Sequence, residues 1–156
     1  MNRIGLLLGL CATGALLATA QAGTEAQDMV GLQTANGKLA AEMLDLWFNQ
    51  TKPGEAFDRY VSRDDFTDHY GKNSTHSFEE VKAAEIKMTT PDMHFQIKQI
   101  IAQGDLVFAH VLVTSPRSGQ FGNELVEIMR FKDGKVTEHW DLHVPLQQDA
   151  REFFGR

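Results

Sequence analysis

The hydrophobic pattern changes its period once, at Pro91. Before that proline, apolar residues recur at helical spacing. After it they alternate with polar ones in runs punctuated by Gly104-Asp105 and Asp133-Gly134. Helices first and consecutive strands afterwards leave no place for the crossovers of a parallel sheet. The order predicts an α+β domain, with three helices packed on one face of a curved antiparallel sheet.

Leu39, Met43, Leu46 and Trp47 mark the first helix, to about residue 48, with Asn36 as its cap. Pro53 suits the first turn of a second helix that carries Ala56, Phe57 and Tyr60. Residues 62–75 have no clear period and read as a loop with at most one short extended piece. Ser77-Phe78-Glu79-Glu80 forms a capping box that opens the third helix, which stops before Pro91. Four strands follow, over 93–102, 106–114, 124–131 and 136–144.

Residues 1–22 have a basic start, an apolar middle over 4–20 and an Ala20-Gln21-Ala22 exit. That is the layout of a cleavable secretory signal, cut after Ala22, which predicts a secreted or periplasmic protein without stable membrane insertion. Residues 23–35 read as a flexible leader and 36–156 as one domain. Cys11, the only cysteine, lies within the signal, so the mature chain has no disulfide, thiol nucleophile or thiolate metal site. Removing residues 1–22 takes away Arg3 and moves the formal charge from −6 to −7. An acidic chain without a Lys/Arg stripe is a poor nucleic-acid binder. No phosphate loop, dinucleotide fingerprint or Ser-His-Asp order is present, which points to chemistry without a cofactor.

Three segments carry a family resemblance. They are Glu127-Ile128-Met129-Arg130-Phe131 with its turn and Val136-Thr137-Glu138-His139-Trp140-Asp141, the hairpin around Gly104-Asp105, and Leu46-Trp47-Phe48 with Ala56-Phe57-Asp58-Arg59-Tyr60. Together they resemble the SnoaL-like polyketide cyclases and their aldol-condensation relatives, of the nuclear transport factor 2-like (cystatin-like) superfold, over residues 39–147. The resemblance implies a cone-shaped domain whose helices close over a bent sheet around an apolar pocket. It also implies a homodimer formed through the open sheet face carrying Val126, Ile128 and Trp140. An Asp at the position of Asp141 acts as acid/base in such cyclases, assisted by a His where this chain has Glu127. Relatives have His-Asn-Pro where this chain has His69-Tyr70-Gly71, so only His69 carries over.

The hairpin register decides whether these groups meet. A two-residue Asp133-Gly134 turn with regular pairing would put Glu127 and Asp141 on opposite faces. A three-residue loop, Lys132-Asp133-Gly134, pairs Glu127 with His139 and gathers Leu125, Glu127, His139, Asp141 and His143 on one face. That is the expected register, and it nominates Asp141, Glu127 and His139 as catalytic. His69, His110 and His143 are nominated as substrate-binding. His110 is equally a hydrogen-bonded core residue, and His76 and His94 read as surface. Three donors at alternate positions of one flat strand spread too widely to hold a metal, so no metal is expected. Two functions fit: an acid/base enzyme acting on an apolar carbonyl compound, or a non-catalytic module binding a small hydrophobic molecule.

Overall fold

Thr34, not Asn36, starts the first helix: its hydroxyl accepts from the Gly37 N–H at 3.0 Å. Asn36 instead donates to the Gly104 carbonyl, tying the helix to the turn of a distant hairpin. The computed structural model describes residues 30–69, 76–119 and 121–147. The expected signal (1–22) and the leader up to residue 29 lie outside them. The leader ends sooner than expected, because Val30–Gln33 forms a 3-10 turn. A Cβ on Gly31 would fall 2.6 Å from the Ile100 side chain, so only glycine lets this turn lie against the sheet.

Helix α1 spans Ala35–Leu44 and continues as a π-helical turn, Asp45–Asn49. The wider turn brings three consecutive residues, Leu46, Trp47 and Phe48, into the interior. Helix α2, Pro53–Tyr60, has its proline in the first turn, and α3, Phe78–Met88, has the Ser77/Glu80 capping box in place. Strands β2 (His94–Gln103), β3 (Leu106–Thr114), β4 (Asn123–Lys132) and β5 (Lys135–Pro145) form the antiparallel meander. Among the described residues no helix is long and apolar enough to cross a membrane.

The sheet has five strands rather than four, in the order β1-β5-β4-β3-β2. Strand β1 is only Thr67–Asp68, from the stretch that reads as a loop, and it pairs parallel to β5 beside Glu138 and His139. The sheet is therefore mixed. Two residues are too short for alternation to show in a sequence.

The β4–β5 connection also departs from expectation. Lys132 pairs with Lys135, leaving a two-residue turn in which Asp133 and Gly134 have φ of 53° and 76°. Two left-handed residues in succession match the twist of a hairpin, and Asp-Gly accepts that geometry at little steric cost. The register then shifts between Phe131↔Val136 and Arg130↔Glu138, so Thr137 is an extra residue. This bulge sets Glu127 opposite Asp141 and Met129 opposite His139, two residues away from the expected pairing. Because the shift is even, Glu127, His139 and Asp141 still share a face. The bulge, not the turn, puts them there.

That face packs under the helices. Phe57, Met43 and Leu44 meet Ile100, Val107, Val111, Met129 and Val136, all essentially buried. Each such side chain contributes roughly 1.5–3 kcal/mol relative to exposure. Toward one end of the sheet the apolar packing gives way to polar and charged side chains.

Candidate active site

Strand β5 supplies His139, Asp141 and His143 at alternate positions, and β4 supplies Leu125 and Glu127 on the same face. Strand β1 adds Asp68, set beside His139 by its parallel pairing and by the His69 N–H donating to the His139 carbonyl at 2.8 Å. His139 then lies between two carboxylates. Its Nδ1 is 2.6 Å from Asp68 Oδ1 and its Nε2 2.5 Å from Glu127 Oε2. Asp68, Glu127 and His139 are 4%, 3% and 7% exposed.

Burial alone would pull the His139 pKa down. The hydrogen bonds that His139 donates to Asp68 and Glu127, reinforced by their charges, outweigh burial and raise it to about 10. His139 is therefore an imidazolium with both N–H groups committed. It cannot accept a proton near neutrality, so it fixes Glu127 and Asp68 in place and supplies positive charge.

Asp141, directly across from Glu127, has no such partner. Its Oδ1 is buried and has no hydrogen-bond partner among the described residues. Burial first, and then the charge of Glu127, raise its pKa above the usual Asp value, with His139 opposing. A carboxyl so placed holds its proton less reluctantly than one in water, which suits a group that must both take and return one.

These groups line a cavity of about 600 Å³. Its aromatic wall comes from the π-helical turn and β2. Phe48 stacks on Phe95 with ring centroids 4.2 Å apart, and the indole N–H of Trp47 donates to Thr89 Oγ1 at 3.2 Å. The helix α3 side presents Val81, Ala84, Glu85 and Met88, and His76, Arg117 and His143 are among the other polar lining residues.

Two expected binding residues lie elsewhere. His69 stacks on Trp140 at 4.6 Å and pairs with Glu138 at 3.0 Å, on the opposite face of the sheet. It directly follows Asp68, the last residue of β1, and successive residues of an extended chain point to opposite faces. His110 pairs with Glu124 at 2.6 Å and is not in the cavity lining, because Ala109 and Val111 hold the inward positions of β3. His143 does line the cavity, and so does His76, which reads as a surface residue in the sequence.

Asp68 and Glu85 are the groups that the sequence reading missed. Glu85 had a usable signal, since it interrupts the apolar stripe Val81, Ala84, Met88 at helical spacing. Asp68 had only its place after Phe66 in an aperiodic stretch. Among the described residues no group of three or more His, Cys, Asp or Glu side chains is arranged to hold a metal ion.

Several solved structures are similar to this fold. A protein provisionally assigned as a polyketide cyclase from Bacillus cereus ATCC 10987 is 25% identical, with a TM-score of 0.58 over 70% of this chain and 74% of that one. AclR from Streptomyces galilaeus, provisionally assigned as a hydroxylase, is 26% identical, with a TM-score of 0.56 over 77% and 84%. An NTF2-like protein from Cytophaga hutchinsonii ATCC 33406 is 15% identical and supports the fold alone, with a TM-score of 0.55 over 78% and 95%. The sequence matches no curated protein. The SnoaL-like domain profile matches residues 40–139, well over half of the 156-residue chain. With an α+β fold of three helices on a five-stranded sheet, the protein belongs to the SnoaL-like domain family.

Proposed function

We propose that this protein is a cofactor-independent acid/base enzyme of cyclase, aldol-condensation or isomerase type, acting on an apolar carbonyl compound held in the cavity. The observation that carries this reading is Asp141 itself, a carboxyl with a buried, unpartnered oxygen and a raised pKa at the polar end of an aromatic-walled cavity. The Asp141 carboxylate takes a proton from the carbon next to the carbonyl: the C–H bond breaks, an O–H bond forms, and the electron pair moves to the carbonyl oxygen. The enolate carbon either regains the proton or attacks a second carbonyl, whose new alkoxide takes it. No oxidant or reductant is consumed. Glu127, held by His139, supports Asp141 and raises its basicity.

The direct test is deuterium exchange at the α-carbon of β-tetralone in D2O, followed by proton NMR. Exchange faster than buffer supports the reading, and the buffer rate across the neutral range would sink it. One observation favours a non-catalytic ligand-binding module instead: both nitrogens of His139 are occupied, and Glu127 stands where a second imidazole would assist. Specific binding of β-tetralone without exchange would decide for that module.

The reading includes export with removal of residues 1–22. Mass spectrometry of the protein recovered from a secreting host is expected to find Gly23 at the N-terminus; a protein retaining Met1 would contradict it.

It also includes a homodimer. Opposite the cavity the sheet carries a cross-strand row of Phe108, Ile128 and Trp140. Ile101, Phe108, Leu142 and Val144 on that face are 47%, 39%, 59% and 56% exposed. Contiguous apolar surface of this kind normally covers itself. Light scattering at micromolar concentration is expected to give twice the chain mass, and Leu142→Glu to give the monomer. A monomeric parent rules the dimer out.

A further inference from the structure

We propose that Glu85 is a second carboxyl of this site, which acts with Asp141 to hold one hydroxyl or enol group of the ligand at the polar end of the cavity. The inference rests on the acid/base reading above and names the ligand chemistry that the site selects. Glu85 projects from α3 into the same cavity that Asp141 enters from β5. Its neighbours on the stripe are apolar, and its carboxyl makes no hydrogen bond or ion pair among the described residues. A half-buried carboxylate against an apolar cavity wall and other carboxylates is disfavoured, and a carboxyl group escapes that cost by keeping its proton.

The charged groups around Glu85 favour that outcome. Burial comes first, and the charges of Glu127 from β4, Asp141 from β5 and Asp68 from β1 add to it. His139 opposes them, and the pKa reaches about 8. His76, Glu80, Arg117 and His143 complete the titratable lining. Around neutral pH Glu85 therefore offers an O–H donor, while Asp141 Oδ1 is an acceptor without a donor. A neutral hydroxyl or enol answers both, donating to Asp141 and accepting from Glu85. A carboxylate ligand accepts from Glu85 but has no proton to donate to Asp141. It adds a further negative charge beside Asp141 and Glu127, whose charges His139 balances only in part.

The test uses three probes on one ring system, β-naphthol, naphthalene and β-naphthoate, with binding read by titration calorimetry. A hydrogen bond to a charged group predicts that β-naphthol binds ~10-fold or more tightly than naphthalene, with β-naphthoate weakest. Raising the pH through about 8, where Glu85 loses its proton, is expected to weaken β-naphthol binding to the parent. Glu85→Gln keeps a donor and cannot ionise, so it retains binding across that range. Measured at the same pH, it also reports any ionisation of the probe itself. Glu85→Leu removes the donor, so it weakens β-naphthol below about 8, abolishes the further fall through that pH and spares naphthalene.

Equal affinity for β-naphthol and naphthalene, identical pH profiles for the parent and Glu85→Gln, or no binding of any probe would each overturn the proposal. Because binding is read without turnover, such a failure leaves the β-tetralone exchange test intact. Absence of exchange together with the expected binding profile overturns only the acid/base reading.

Discussion

Asparagine at position 141 is expected to slow α-proton exchange of β-tetralone by ~100-fold or more, the range that a positioned general acid/base supplies. The amide keeps the shape of the carboxyl and one acceptor oxygen, so the affinity for β-tetralone should change little. A fall in exchange with affinity retained separates proton transfer from binding. Glu127→Gln should cost less. Its carboxylate acts on Asp141 through charge and is already committed to His139. It leaves Asp141 less basic, because it removes a charge that raises its pKa. The parent's exchange should rise with pH as Asp141 loses its proton, and in Glu127→Gln that rise should begin at lower pH. Equal exchange by the Asn variant and the parent would dismiss Asp141 as the base.

The fold was legible where a pattern runs for many residues. The capping box at Ser77, the proline opening α2 and the four long strands all follow from local chemistry that tertiary packing does not override. The shared face of Glu127, His139 and Asp141 was reached through the wrong register. An alternating sequence shows on which side a residue points relative to its neighbours, not where an extra residue enters the ladder. Thr137 looks like any β-branched strand residue, and only its partners reveal the bulge. Asp68 was hidden for a different reason. It becomes part of the site through a two-residue parallel pairing with a strand some 70 positions later in the chain, and no local pattern announces so long-range a contact. Glu85 stood in view on an apolar helical stripe. A carboxyl there reads as exposed until the cavity beneath it is known.

The Asp68–His139–Glu127 arrangement makes its own prediction, on stability rather than turnover. His139→Ala removes the cation and leaves two buried carboxylates facing the space it held, a change expected to destabilise the fold by about 3–5 kcal/mol. Urea unfolding at neutral pH measures it. The parent's pH dependence has a definite sign. His139 titrates at about 10 in the folded protein against an ordinary value of 6.5. Its stabilisation is therefore fully present below about 6.5 and is lost as the pH rises through about 10. Glu85, raised from 4.5 to about 8, also makes the fold lose stability with rising pH, in an earlier window. Glu85→Gln should flatten the earlier fall and leave the later one. In His139→Ala the later fall should disappear. The two remaining carboxylates then share a proton, and their joint titration moves the loss of stability to lower pH. A parent whose stability stays level from about 6.5 to about 10, or a His139→Ala variant that loses under about 1 kcal/mol, as for an exposed pair, would mean that the triplet is solvated and does not hold β1 to β5.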